Sequence, residues 1–358
     1  MTSKGAVFAA TPCSTGPAMD RHRAVDASRP AWHHDAEKSS DPDTATAAPD
    51  VAAETLPLRD DAIDWVGMQG IEMPILFDAG NGDPQRCHAR VDAFVNLMRP
   101  DRRGIHMSRL YLLANQYLGA EPIDAGMLES LLRAFLQSHH DLADRACIGI
   151  RFEHLVRKKA LRSDHHGWRA YPVAIEAALI DDVFHLDLRT QVVYSSTCPA
   201  SAALSRQLVQ QRFAADFRVD ESLSHAELFA WLGSARGMAA TPHAQRSIAQ
   251  VRARFVHAAP LNLIALIDRV EQSLQTAVQT AVKREDEQAF AQANAENPMF
   301  CEDAARRIRR ALDADDDIAA FHVRVEHQES LHPHDAVAQV GRNLPGNGHA
   351  MDIDHGFI

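Results

Sequence analysis

Nowhere in the chain do about 18 to 20 apolar residues run together, so no segment is expected to cross a bilayer as a helix and no membrane partner is expected. The opening residues, MTSKGAVFAATPCST, contain only a short apolar run and fall well short of a secretory h-region. Cysteine is scarce and unpatterned: Cys13, Cys87, Cys147, Cys198 and Cys301 form no CxxC pair, and their odd number argues against a disulfide framework. A reducing compartment, the cytoplasm, is the expected location. Positive charge is short as well. With 37 Lys and Arg against 48 Asp and Glu the net charge is -11, which argues against a nucleic-acid partner because phosphate neutralisation needs a basic surface. A local basic pocket stays open.

What is present is globular in composition. At 46% hydrophobic and 24% charged, with Gly and Pro at 17 each, the chain is neither collagen-like nor wholly disordered. Its length allows two domains or one large tandem-repeat domain.

Residues 1–55 are rich in Ala, Asp, Ser, Thr and Pro without a sustained period, and are expected as a disordered tail in which His33 and His34 are solvated. Order is expected over 56–340, with a polar C-terminal tail over 341–358. Ile63 to Phe77, dense in apolar residues around Gly67 and Gly70, reads as a strand with a bulge or bend. Residues 91–98 and 108–118 fit strand or helix equally. Met127 to His139 has helical spacing, and Ala146 to Ser196 alternates as antiparallel strands do. Residues 206–242 read as a helical insertion. A strand is expected from Ser247 to Val256, then one long helix with an apolar stripe from Leu263 to Val282, a short helix from Glu302 to Leu312 and a strand from Ile318 to Val325. This order predicts an α+β fold with helices on one face of an antiparallel sheet.

Several residues sit where chemistry is possible. Cys198, in YSSTCPASAALS, ends a predicted strand just before Pro199; it reads as a small buried hydrophobe or as a thiolate suited to a soft metal or to nucleophilic attack. His243 in TPHAQRS, and His332 and His334 in ESLHPH, lie at loop-strand junctions, where solvated imidazoles are also common. Lys283 to Glu287, KREDE, reads by itself as a charged helix face, and Glu302 in NPMFCED as a carboxylate at a helix N-terminus. A thiol, two imidazoles and carboxylates at element ends make a mixed site for Zn, Mn or Fe chemically reasonable.

Seven blocks in order resemble one family: DWVGMQGIEMPILF at 64–77, RGIHMSRLY at 103–111, STCPASAALS at 196–205, HAQRS at 243–247, KREDEQAF at 283–290, NPMFCED at 297–303 and ESLHPHDA at 329–336. Over roughly residues 60–340 the chain is similar to the type IB GTP cyclohydrolases, also grouped as the GTP cyclohydrolase IV family, which have the tunnelling fold. The resemblance implies tandem modules that close into barrels by homo-oligomerisation, with a tetramer expected and active sites at subunit interfaces. It implies conversion of GTP and water to 7,8-dihydroneopterin triphosphate and formate, the first step toward folate and pterins.

The same resemblance implies a divalent metal held by Cys198, His243, Glu287 and His332. Catalysis needs an open position, and Glu287 is expected to be the labile ligand because a carboxylate can change denticity. The resemblance also implies that Glu302 holds the guanine base. On chemical grounds His106 or His334 is expected to shuttle protons, and Arg109, Arg246, Lys283 and Arg284, which lie within the matching blocks, are expected to meet the triphosphate. Ala200 and Ala244 depart from the family's usual CPCS and HNQRS; Ala244 removes a hydrogen-bonding side chain beside His243. Two other functions remain. One is a nitrile reductase of the same fold, with Cys198 as covalent nucleophile. The other is a purine- or metal-binding protein without turnover. A cyclohydrolase releasing a cyclic phosphate is a near variant.

Overall fold

The computed structural model describes residues 50–53, 61–220, 222–256 and 260–344. The tail expected over 1–55 lies, apart from residues 50–53, outside the described residues, as does most of that over 341–358.

Alternation of period 2 produces long strands here, and the helical stripes cover them. The first half runs β1 (Ile63–Phe77), β2 (Gln85–Leu97), α1 (Met107–Leu118), α2 (Ala125–Ser138), β3 (Ala146–Lys159) and β4 (His166–Ile180). The second runs β5 (Val183–Thr197), α3 (Pro199–Asp216), α4 (His225–Leu232), β6 (Ala244–Phe255), α5 (Leu263–Leu274), α6 (Arg284–Glu296), α7 (Cys301–Asp313), β7 (Ile318–His327) and β8 (Ala336–Arg342). With α3, α4 and α6 set aside, each half reads strand, strand, helix, helix, strand, strand. This is the tandem tunnelling-fold arrangement, and all eight strands join in one antiparallel sheet in chain order.

Register explains the two faces. One row across the sheet pairs Val91 with Ile150, Ile150 with Ile175, Ile175 with Leu188, Leu188 with Ala253 and Ala253 with Phe321. All are fully buried and share one core with Leu110 of α1, Phe135 of α2, Ile267 of α5 and Ile308 of α7. The neighbouring row, Asp92, Gly149, Glu176, Asp187 and Arg254, points to the other face. There Arg151 pairs with Asp92 at 2.6 Å, and Arg254 and Arg252 reach Asp187 at 2.6 and 2.7 Å.

The expected bulge in β1 is a register shift between Met68 and Ile71, where Gly70 has φ 72 and its N–H donates to Asp92 at 2.7 Å. The two ambiguous stretches resolve as β2 and α1.

Two expectations are corrected. The long helix from Leu263 to Val282 stops at Leu274, because Gln275 turns left-handed at φ 66. The next residues leave the helix to pair with β5: Ser195 N–H donates to Thr276 O, and Val278 N–H to Val193 O. They occupy the edge of β5 beyond Thr190, the last residue of β5 that pairs with β4. Val278 and Val282 keep the spacing of a stripe without being helical. The helical segment placed at 206–242 in fact begins at Pro199, and it holds two helices joined by non-helical chain.

Candidate active site

Thr197 ends β5, and Cys198 is the N-cap of α3, with Pro199 at the first helical position, where its missing N–H costs nothing. The Cys198 Sγ accepts from Ser201 N–H at 3.5 Å. Cys198 N–H donates to His243 O at 3.2 Å, and His243 N–H donates to Ser201 Oγ at 3.1 Å. These bonds lace the start of α3 to the start of β6, so the insertion between them leaves its ends together. Met299 N–H donates to Thr197 O at 3.0 Å and brings the approach to α7 alongside.

The result is a cleft of about 450 Å³ in which Cys198, His243, Glu302 and His332 share walls with Met299, Phe300 and Leu331. His243 Nδ1 lies 3.0 Å from Gln245 Oε1 and 3.9 Å from Glu329 Oε2. Glu302 stands in the first turn of α7, where its carboxylate accepts from Cys301 Sγ at 3.3 Å. Burial first, and the Glu302 carboxylate second, push the Cys301 thiol up to about 11. His332 is exposed and stacks on His334 with ring centroids 5.0 Å apart.

Glu287 and Arg246 are not in this cleft. They line a neighbouring one of about 420 Å³ together with Tyr194, Asp286 and Phe290, and Gln245 borders both. Lys283 caps α6 and Arg284 begins it; both are exposed. His106 and Arg109 lie in the first half, at the start of α1. His106 Nε2 is 3.5 Å from the Asp50 carboxylate, and Arg109 donates to Ser138 O at 2.6 Å. Neither lines either cleft.

Among the described residues of one chain, no three His, Cys, Asp or Glu side chains converge closely enough to hold a metal ion. The donor chemistry nevertheless fits one. A thiol and two imidazoles share a cleft, and Gln245 occupies Nδ1 of His243, which leaves Nε2 as the ring nitrogen free to ligate.

Sequence reasoning missed His327, Gln245, Glu329 and Tyr194. His327 ends β7, is 2% exposed, and its Nε2 is 2.9 Å from the Tyr194 hydroxyl. Burial pulls its imidazole down to about 4, against the opposing pull of the Glu302 and Asp303 carboxylates. A signal existed: His327 continues the inward alternation of Val323 and Val325, a polar residue at a core position.

Residues 48–338 match the family described as type I GTP cyclohydrolase folE2. The GTP cyclohydrolase FolE2 of Bdellovibrio bacteriovorus is 48% identical over 301 residues, 84% of this chain and 98% of that protein. The protein of the same name from Pseudomonas putida is 48% identical over 300 residues, covering 82% and 96%. Among solved structures, the uricase from Arthrobacter globiformis aligns over 82% of this chain and 99% of its own at 8% identity, with a TM-score of 0.45.

Proposed function

The chain belongs to the type I GTP cyclohydrolase FolE2 family, and from that premise we propose how this GTP cyclohydrolase of folate and pterin synthesis works: it opens the purine at C8, releases that carbon as formate, and leaves 7,8-dihydroneopterin triphosphate. The observation that best supports the reading is the gathering of Cys198, His243, His332 and Glu302 around one cleft.

Cys198, His243, His332 and Glu287 are the residues that would hold a divalent cation, and their mixed soft and hard donors suit Zn, Mn or Fe. Such a cation supplies Lewis acidity that makes water a competent nucleophile near neutral pH. The Glu302 carboxylate accepts hydrogen bonds from the ring N–H and exocyclic amine of guanine, while Met299, Phe300 and Leu331 offer the base apolar walls. His334, stacked on His332, carries protons between solvent and the purine nitrogens. Arg246, Lys283 and Arg284 meet the triphosphate from the neighbouring cleft.

Glu287 borders that other cleft, and His106 and Arg109 sit in the other half of the chain. We therefore place the complete site where copies of the chain meet, in a homo-oligomer, a tetramer, with His106 and Arg109 contributed across the contact. The free thiols Cys87, Cys147, Cys198 and Cys301 suit a reducing cytoplasm.

The test uses metal-stripped full-length protein to which Zn, Mn or Fe is returned. Turnover of GTP, read as formate and pterin fluorescence, is expected to depend on the metal. Cys198→Ala is expected to lose both bound metal and activity, the latter by at least about 100-fold. Full activity without metal, or in Cys198→Ala, contradicts the assignment.

A further inference from the structure

A line of hydrogen bonds runs through the buried end of the sheet from His243 to Ser247, and beside its end Tyr194 joins His327. His243 Nδ1 meets Gln245 Oε1 at 3.0 Å, and Gln245 Nε2 donates to Ser196 Oγ at 2.9 Å. Ser196 Oγ meets Ser247 Oγ at 2.8 Å. Ser247 is paired across the strands with Tyr194, whose hydroxyl lies beside the end of this line. That hydroxyl meets His327 Nε2 at 2.9 Å. Ser196, Ser247 and Tyr194 are completely buried.

The inventory of donors gives this line a direction. The Gln245 oxygen can only accept, so His243 carries its proton on Nδ1. The Gln245 amide can only donate to Ser196, whose own proton then goes to Ser247. The buried Tyr194 phenol keeps its proton, and His327 Nε2 is its one side-chain hydrogen-bond partner among the described residues, so a bond in the other direction would leave the phenol proton buried without an acceptor; the phenol donates to His327. His327 Nε2 is therefore an acceptor, and in the neutral ring the proton sits on Nδ1. That a guanine base lies in the cleft for His327 to meet rests on the cyclohydrolase reading.

His327 borders the cleft beside Glu302, and its Nδ1 has no hydrogen-bond partner among the described residues. We propose that His327 is a specificity residue for the base: the Tyr194 hydroxyl fixes it as an Nδ1–H donor, and that donor reads the 6-oxo group of the purine whose 2-amino edge Glu302 holds. Glu302 as acceptor and His327 as donor present the complement of a 2-amino-6-oxopurine. A 6-aminopurine brings a donor to a donor, which leaves both unpaired and is rejected on that account.

The experiment is equilibrium binding to the full-length chain, with chelator present to prevent turnover. GTP is compared with 2,6-diaminopurine ribonucleoside triphosphate, which keeps the 2-amino group, exchanges the 6-oxo group for an amine and loses the N1 proton; the Glu302 share of the discrimination is the same in every variant, so the change in ratio reads His327. Two variants are tested, His327→Ala and Tyr194→Phe, each checked for an unchanged thermal melt. Tyr194→Phe keeps the imidazole but frees its tautomer, so Nδ1 can turn acceptor toward the 6-amine. In both variants the preference for GTP over the diaminopurine nucleotide is expected to fall by at least about tenfold. A purely structural role would weaken both nucleotides equally; an unchanged ratio in folded variants overturns the proposal. Failure of the unaltered chain to bind GTP at all sinks the cyclohydrolase reading and the inference with it.

Discussion

The Asp286 carboxylate is fully buried and accepts from the backbone N–H groups of Arg162, Ser163 and Lys283 at 2.7, 2.9 and 2.8 Å, and from the Ser163 hydroxyl at 2.5 Å. Burial alone would raise its carboxyl, but these bonds, led by that from Lys283, outweigh it and hold the group well below the usual carboxylate range. One side chain thus pins the β3–β4 hairpin to the first turn of α6, immediately before Glu287. Asp286→Asn turns an acceptor toward these donors into a donor. If Glu287 is a ligand, affinity for Mn is expected to drop by about 10- to 100-fold, the usual effect of losing a group that orients a ligand. Titration of the metal-free variant reads this directly, and unchanged affinity would show that the placement of Glu287 does not matter to the metal.

The segment from Thr276 to Lys283 carries the same argument at the scale of an element. It leaves α5 at Gln275, pairs with β5, and passes so close to β4 that a Cβ on Gly167 would lie 2.0 Å from Thr280 Oγ1 and 3.0 Å from Ala281 N. Gly167→Ala is expected to destabilise the fold by about 1 to 3 kcal/mol through overpacking, measured by denaturant unfolding. No loss would mean that this segment yields freely.

Sequence reading failed at this element for a physical reason. Gln275 adopts a left-handed conformation without being Gly or Asn, and Val278 and Val282 continue the apolar spacing of α5 although they lie outside any helix. The strands from β3 to β7 were legible because one face of the sheet is buried and alternation records it. β2 and α1 are short apolar stretches whose spacing fits either period, so only their partners decide. Cys198, His243, His332 and Glu302, which line one cleft, were singled out through their motif blocks. Tyr194 and Gln245 were not, since only the strand register brings them into line, and His327 was not, although its place in the inward alternation of Val323 and Val325 marked it.

Over the whole molecule, buried imidazoles make stability depend on pH. Burial lowers His139 and His154, and lowers His327 to about 4. The unfolded chain binds these protons near pH 6.5, so the stability from keeping the rings neutral is complete above about 6.5 and is lost as pH falls toward 4. His327 alone accounts for about 3 kcal/mol of that loss by pH 4. A second loss follows below about pH 4, where Asp187 of the unfolded chain takes up a proton before that of the folded chain; burial would raise this group, but Arg254 and Arg252 outweigh it and hold it low. Thermal melts across pH 7 to 3 should therefore fall in two stages, and a melting temperature flat down to pH 4 would contradict the neutral buried histidines.

The central claim concerns the fate of one carbon, and GTP labelled with carbon-13 at C8 follows it. Incubated with the metal-loaded protein and observed by NMR, the label should appear as formate in equal amount to the 7,8-dihydroneopterin triphosphate formed. Label that stays in intact nucleotide, or in a ring-opened formamide that goes no further, would contradict the account.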